Sequence, residues 1–380
     1  MDFSTLCVHG RNIEKHDDTG AVSIPIFQTA TFEHPAVGES TGYDYSRLQN
    51  PTREHLEGVI SALEGAGHTL AFSTGMAAIT ALMELFAPGD HIIASNDLYG
   101  GSYRLFSNIS TKNGIAFDFV DTSDLEAVQS CIKENTKAIF VETPTNPLML
   151  VTDISAISQL AKEHDLLLAV DNTFLTPYYQ KPISLGADIV IHSATKYLGG
   201  HNDTLAGFLV TDNDILAERL RFIFKTTGAC LSPFDSWLII RGIKTLAIRM
   251  DRQQESAMRI ADWLCSRKSV TAVYYAGLPS HPQYEISKQQ ASGFGAMLSF
   301  RVDSEQTAKQ ILKRLNIIKY AESLGGVETL MTYPMLQTHA DVPEQKRLAL
   351  GIDEKLLRLS VGIEAVEDLI SDLSQALEGE

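Results

Sequence analysis

From about residue 47 to residue 245 the chain alternates short apolar runs with helical patterns, and this alternation limits the possible folds more than any other feature. The strand candidates are His91-Ile-Ile-Ala-Ser, Ala116-Phe-Asp-Phe-Val, Ala138-Ile-Phe-Val-Glu, Leu166-Leu-Leu-Ala-Val and Asp188-Ile-Val-Ile-His. Amphipathic stretches such as 153–164 lie between them. Strands alternating with helices of this kind predict βαβ units, hence an α/β fold with a mostly parallel sheet flanked by helices. Such sheets bind ligands at the C-terminal ends of their strands. Asp171, Ser193 and Lys196 fall at or just beyond such ends.

The flanking segments differ. Residues 1–46 carry turn residues such as Gly20 and Pro25 and read as an N-terminal arm in which no helix of any length is written. Asn50-Pro-Thr caps a helix over 53–63. A long helix over 246–264 leads out of the alternating region. After it come a strand at Phe294-Gly-Ala-Met-Leu-Ser-Phe, a helix over 304–315, a strand at Leu356-Leu-Arg-Leu-Ser-Val and a last helix over 365–377. The expected organisation is an arm (1–46), a cofactor-binding domain (47–245) and a smaller α/β C-terminal domain (246–380), as suits 380 residues.

Bulk properties remove several classes. A formal charge of -16 disfavours nucleic acid and anionic membranes as partners. No uncharged apolar stretch approaches the roughly 20 residues of a membrane span. The first residues show no signal sequence, so a cytoplasmic location is expected. Cys7, Cys131, Cys230 and Cys265 are widely spaced without CxxC, and the histidines show no HExxH; no metal site is expected.

Chemistry concentrates in a few places. Lys196, in Ser193-Ala-Thr-Lys-Tyr-Leu-Gly-Gly-His, and Asp171, closing an apolar run, lie one short crossover and one strand apart. A lysine amine condenses with an aldehyde cofactor, and an aspartate can keep a ring nitrogen protonated; pyridoxal phosphate chemistry needs both. The alternative is a solvated lysine and an aspartate that only caps a turn. Ser73-Thr-Gly-Met-Ala-Ala opens a helix, where free amides and the dipole suit a phosphate, or where the helix is simply capped. Tyr99, in Asp97-Leu-Tyr-Gly-Gly, can stack on a flat ring or pack at a loop. Arg358 can take a carboxylate in a two-pronged grip or stay solvated on an edge strand.

Residues 190–207 resemble the signature of the Cys/Met-metabolism family of pyridoxal phosphate enzymes, which holds cystathionine γ-synthases, cystathionine β- and γ-lyases, methionine γ-lyases and O-acylhomoserine thiol-lyases. The likeness runs nearly end to end: Tyr45-Ser-Arg with Asn50-Pro-Thr, Ser73-Thr-Gly-Met-Ala, Tyr99-Gly-Gly, Glu142-Thr-Pro-Thr-Asn-Pro, Val170-Asp-Asn-Thr-Phe, Glu322-Ser-Leu-Gly-Gly-Val-Glu, Thr338-His and Arg358-Leu-Ser-Val-Gly-Ile-Glu. The resemblance implies a fold of the aspartate-aminotransferase-like type I class. It implies that Lys196 holds pyridoxal phosphate covalently and then shuttles protons, that Asp171 pairs with the ring nitrogen, and that Tyr99 stacks on the ring and assists proton transfer at the leaving group. Gly75, Met76, Thr173, Ser193 and Thr195 would complete the cofactor site. Tyr45 and Arg47 would reach the phosphate of a neighbouring subunit, so a homo-oligomer with a shared site, a dimer of dimers, is expected. Asn146, Glu322, Ser323 and Arg358 would bind an amino-acid substrate, and Arg104 its distal carboxylate or ester.

Three local features bear on the reaction. Glu322 precedes Ser-Leu-Gly-Gly as in many γ-acting members. Position 101 is glycine where methionine γ-lyases resemble one another in having cysteine. The runs from His201 and from Thr332 look most like cystathionine γ-synthases that also use O-acetylhomoserine. The expected reaction is γ-replacement on an O-acylhomoserine by cysteine, with sulfide as a possible second nucleophile; cleavage of cystathionine by a β- or γ-lyase is the alternative. A nicotinamide dehydrogenase would need a spaced glycine fingerprint that the chain lacks, and a non-catalytic relative would not keep the set of reactive residues.

Overall fold

The computed structural model describes residues 1–11 and 20–378. Two sheets organise it. The larger has seven strands: β1 (His68–Phe72), β2 (His91–Ser95), β3 (Ala116–Val120), β4 (Thr136–Glu142), β5 (Leu167–Asp171), β6 (Ile189–Ser193) and β7 (Gly207–Thr211), in the order β1-β7-β6-β5-β4-β2-β3. The pairs from β6 to β3 are parallel. β7 runs against both β6 and β1, because the loop from Ser193 to Gly207 returns directly instead of crossing over. The expected mostly parallel sheet flanked by helices is thus present.

Alternation along the strands explains why both faces are covered. Val141, Val170, Val190 and Val210 pack into one core, whereas Phe140, Ala169, Ile189 and Leu209 pack into another on the opposite face. Successive side chains on a strand point to opposite faces, so two buried sets mean helices on both sides. Local signals place those helices. Asn50 accepts from the Thr52 amide and Pro51 starts the helix Pro51–Glu64, which Gly65 ends in a left-handed cap. Asp153 caps Ile154–Glu163 in the same way.

The helix Leu246–Cys265 leads to the second sheet, β8 (Val270–Tyr274), β9 (Met297–Val302), β10 (Lys319–Tyr320), β11 (Leu330–Thr332) and β12 (Leu356–Ser360), ordered β10-β11-β12-β9-β8. The helices Glu305–Arg314 and Val366–Glu378 pack on each other beside it.

Two expectations need correction. The N-terminal arm does contain a helix, Phe3–His9, capped by Asp2, whose Phe3 ring sits 5.1 Å from that of Tyr178; residues 12–19 of the arm lie outside the described residues. The strand carrying Arg358 is not an edge strand, because β11 and β9 flank it. No helix among the described residues is long and apolar enough to cross a membrane.

Candidate active site

One cavity of about 210 Å³ opens where β4, β5 and β6 end and where the second sheet meets the first. Three strand ends come together there in register. Glu142 pairs with Asp171, and Asp171 with Ile191, so their side chains emerge side by side. Phe72 and Ser193 both pair with Gly207, which brings the turn after β1 to the same edge.

That turn is glycine-dependent. A Cβ on Gly75 would lie 2.9 Å from the Ser193 Cβ, and a Cβ on Gly207 would run into the Thr74 backbone. Glycine at both positions lets the strands and the turn approach this closely. Thr74 caps the helix Gly75–Met83 by accepting from the Ala77 amide at 2.9 Å. The amides of Gly75 and Met76 have no partner within the helix, and with the dipole they make an anion seat facing the cavity.

Asp171 lies across the cavity floor. Its Oδ1 accepts from the Thr173 amide at 3.0 Å and from the Thr173 hydroxyl at 2.5 Å. Thr173 Oγ1 in turn accepts from the Ser193 amide at 2.9 Å. Thr173 therefore fixes Asp171 against β6. Burial raises the Asp171 carboxyl, and the Thr173 bonds pull it back. Glu142, buried beside it, is raised well above the ordinary carboxylate range by burial first and then by the Asp171 charge. Two neighbouring carboxyls in one low-dielectric site do not both ionise readily, and Glu142 is the one pushed towards its neutral form.

Lys196 follows β6, and Nζ donates to Ser323 Oγ at 3.0 Å. Burial, then the nearby Arg358 guanidinium, lower its pKa to about 8, against the pull of Glu322. A part-neutral amine near pH 8 is nucleophilic, as condensation with an aldehyde demands. Thr195 fastens the same loop through its hydroxyl, which accepts from the Ala206 amide at 3.1 Å.

Arg358 is 1% exposed and closes the opposite wall. Its guanidinium donates to Asn146 Oδ1 at 2.7 Å, to the Ser323 carbonyl at 3.0 Å and to Thr332 Oγ1 at 3.1 Å. Burial lowers its pKa to about 10. No carboxylate is bonded to it among the described residues, so its charge remains available to a ligand. Tyr99 stands at the rim, 42% exposed, and its ring offers a flat surface to the cavity.

The described cavity residues fit pyridoxal phosphate: an anion seat at one end, an acid on the floor, an activated amine, an open aromatic face and a guanidinium for a carboxylate. Three expected residues stand elsewhere. Arg104 is exposed and ion-paired with Asp341 instead of lining the cavity. Arg47 donates to the Lys225 carbonyl, and its guanidinium lies 5.6 Å from the Tyr45 ring centroid; neither side chain lines this chain's cavity. Lys196 and Arg358 are the only Lys or Arg side chains lining it among the described residues. Glu142 and His339, unassigned from sequence, join the site through the backbone of the Tyr99 turn.

A family model described as Cys/Met metabolism PLP-dependent enzyme matches residues 4–378. The chain is 51% identical over 376 residues to the cystathionine β-lyase of Lactococcus lactis subsp. cremoris (strain MG1363), covering 99% of each. It is 51% identical over 359 residues to the cystathionine γ-synthase/O-acetylhomoserine (thiol)-lyase of Bacillus subtilis (strain 168), covering 94% of this chain and 92% of that one. Its structure is similar to cystathionine γ-lyase from Lactobacillus plantarum complexed with L-serine, with a TM-score of 0.97, 46% identity, and coverage of 100% and 99% of the two chains.

Proposed function

The chain belongs to the Cys/Met metabolism family of PLP-dependent enzymes, and from that membership we propose that it is a cystathionine γ-synthase, replacing the γ-substituent of an O-acylhomoserine with the sulfur of cysteine. Identity does not choose among the family's reactions, since relatives equally similar to this chain carry synthase and lyase names. The observation that carries the synthase reading is Glu322. Its carboxylate borders the cavity next to Ser323, close enough to Lys196 to bias its charge. Chemistry at the γ-carbon needs protons moved at Cα and Cβ, and an incoming amino acid needs its ammonium held. An acidic side chain beside the mobile amine suits both demands.

When bound, the cofactor withdraws electrons from the substrate's Cα. Asp171 holds a proton on the ring nitrogen. Gly75 and Met76 amides, with Ser193 and Thr195, seat the phosphate. Arg358, steadied by Asn146, takes the α-carboxylate and turns the Cα–H towards Lys196. The Lys196 amine then moves protons at Cα and Cβ, and Tyr99 handles the proton at the departing oxygen. Tyr45 and Arg47 complete the phosphate site of a second copy in a shared-site oligomer, paired into a tetramer in the cytoplasm. The division near residues 46 and 246 into arm, cofactor domain and C-terminal domain belongs to the same reading.

The second reading, a lyase, is favoured by the names of two of these relatives. One experiment separates them: incubate cofactor-loaded enzyme with cystathionine alone and weigh the product. Pyruvate at turnover rate makes the enzyme a β-lyase and 2-oxobutyrate a γ-lyase. The synthase reading expects neither, and expects cystathionine from O-acylhomoserine plus cysteine.

A further inference from the structure

The peptide between Leu98 and Tyr99 is held at both of its polar atoms by side chains from distant parts of the chain. Its N–H, on Tyr99, donates to Glu142 Oε2 at 3.0 Å. Its carbonyl, on Leu98, lies 3.1 Å from His339 Nε2. A carbonyl only accepts, so Nε2 carries the proton. Nδ1 is then free to accept from the Thr338 hydroxyl at 2.9 Å. Burial, and next the Arg358 charge, keep the imidazole neutral by drawing its pKa down to about 4, which preserves this donor and acceptor pattern. Glu142 ends β4, beside Asp171; His339 lies in the segment that follows β11, beyond the buried Tyr333.

We propose that Glu142 and His339 are positioning residues that act together on this one peptide and thereby set the angle of the Tyr99 ring in the site. A peptide unit is planar, so fixing its N–H and its C=O fixes its plane and the Tyr99 N–Cα axis. The Tyr99 carbonyl, which accepts from the Ser102 and Tyr103 amides at the start of the helix Gly100–Arg104, fixes the rotation about that axis and so the direction of the Cα–Cβ bond. The ring has few other restraints. Tyr99 is 42% exposed, and no aromatic ring packs on it among the described residues. Beneath it lies Gly101, where a Cβ would run into the ring, and behind it Gly100, where a Cβ would run into the Thr338 carbonyl. The turn is thus glycine where it faces the ring and the C-terminal segment, and the two side-chain bonds hold its first peptide while the following helix holds the Tyr99 carbonyl. Because Thr338 and Arg358 line the same cavity, the clamp links the carboxylate end of the site to the proton-transfer end.

The inference rests on the role given to Tyr99 above, and the test keeps the two apart. His339→Phe and Glu142→Leu each remove one of the two bonds to this peptide, with His339→Ala and Glu142→Ala in their place where they fold poorly. His339→Gln and Glu142→Gln each offer the peptide a replacement donor or acceptor and are expected to stay closer to the parent. All are measured as cofactor-loaded enzyme, alone and with Tyr99→Phe. Three readouts are followed: kcat and KM, visible circular dichroism of the bound cofactor, and amide hydrogen exchange over residues 97–102. For the bond-removing variants the expected result is a kcat about ten- to a hundredfold lower with KM changed much less, as a misplaced catalytic group gives. The cofactor dichroism changes and exchange at Tyr99 speeds up. In the Tyr99→Phe background the further loss of kcat nearly vanishes, because the residues act through Tyr99. Losses that multiply in full in that background overturn the inference while leaving Tyr99's role intact; so do unchanged dichroism and exchange. A fully active Tyr99→Phe enzyme overturns the role of Tyr99 and the inference with it.

Discussion

Lys196 Nζ donates to Ser323 Oγ at 3.0 Å, and Ser323 holds its backbone at φ +95° to receive it. A non-glycine residue at positive φ is disfavoured by about 1–3 kcal/mol, and such strain collects at functional sites. Ser323 also offers its carbonyl to Arg358. One strained residue therefore touches both the amine and the guanidinium.

Ser323→Gly separates stability from activity. Glycine accepts the backbone angle without a Cβ penalty, so thermal unfolding should show stability unchanged or raised by up to about 1 kcal/mol. Turnover should fall about tenfold, because Lys196 loses its hydrogen-bond acceptor. Ser323→Ala should lose similar activity with no gain in stability. A Gly variant that is both stable and fully active would remove Ser323 from the site.

Arg358→Lys keeps the charge but not the planar fork. The guanidinium's bonds to Asn146, the Ser323 carbonyl and Thr332 orient it for a paired grip on a carboxylate. Loss of a charge-assisted bond costs about 1.5–3 kcal/mol, so KM for the amino acid should rise about ten- to a hundredfold, with kcat less affected. Steady-state kinetics at saturating cofactor check this, and an unchanged KM would place the α-carboxylate elsewhere.

The residues of this site differ in how much of their role is legible in the sequence. Lys196, Asp171 and the Ser73-Thr-Gly turn announce themselves because each sits in a short motif at the end of an apolar run, where local pattern and chemistry coincide. Arg358 was legible as a strand residue but not as a buried one, since burial depends on β9 and β11 pairing beside it. Glu142 and His339 carry no local signal for their contacts: the peptide they grip lies 43 and 241 positions away. The Phe3–His9 helix is short, and the surface it covers is supplied by helices such as Leu246–Cys265. The antiparallel β7 carries no local signal of its direction: its apolar run directly follows the lysine loop, and only its pairing with β6 and β1 sets it.

Arg47→Ala should loosen the cofactor although Arg47 does not line this chain's cavity. The side chain is exposed, with its bond going to the Lys225 carbonyl, so stability should change by less than about 0.5 kcal/mol. If a second copy's Arg47 supplies the missing cation at the anion seat, the dissociation constant for pyridoxal phosphate should rise about tenfold or more, read by titrating stripped enzyme and following visible absorbance. Unchanged affinity would count against a site shared between copies.

Asp97 gives a pH dependence whose sign can be worked out. Its carboxylate is fully buried just after β2, accepts from Thr145 and from the Leu148 amide, and has one oxygen without a hydrogen-bond partner among the described residues. Burial, partly offset by those bonds, pushes its pKa from 3.8 to about 6. The fold therefore favours the protonated form. Its contribution is fully present below 3.8, is lost as pH rises to about 6, and leaves an ionised buried carboxylate at neutral pH. Asp97→Asn has nearly the same shape and cannot ionise. The variant should match the parent near pH 4 and become more stable than it by about 1–3 kcal/mol above pH 7. Thermal midpoints of both proteins from pH 4 to pH 8 give the comparison. A difference that stays flat across that range, or an Asn variant less stable at pH 8, would mean that Asp97 keeps its charge at little cost in the folded chain, held by more than the two bonds it makes here.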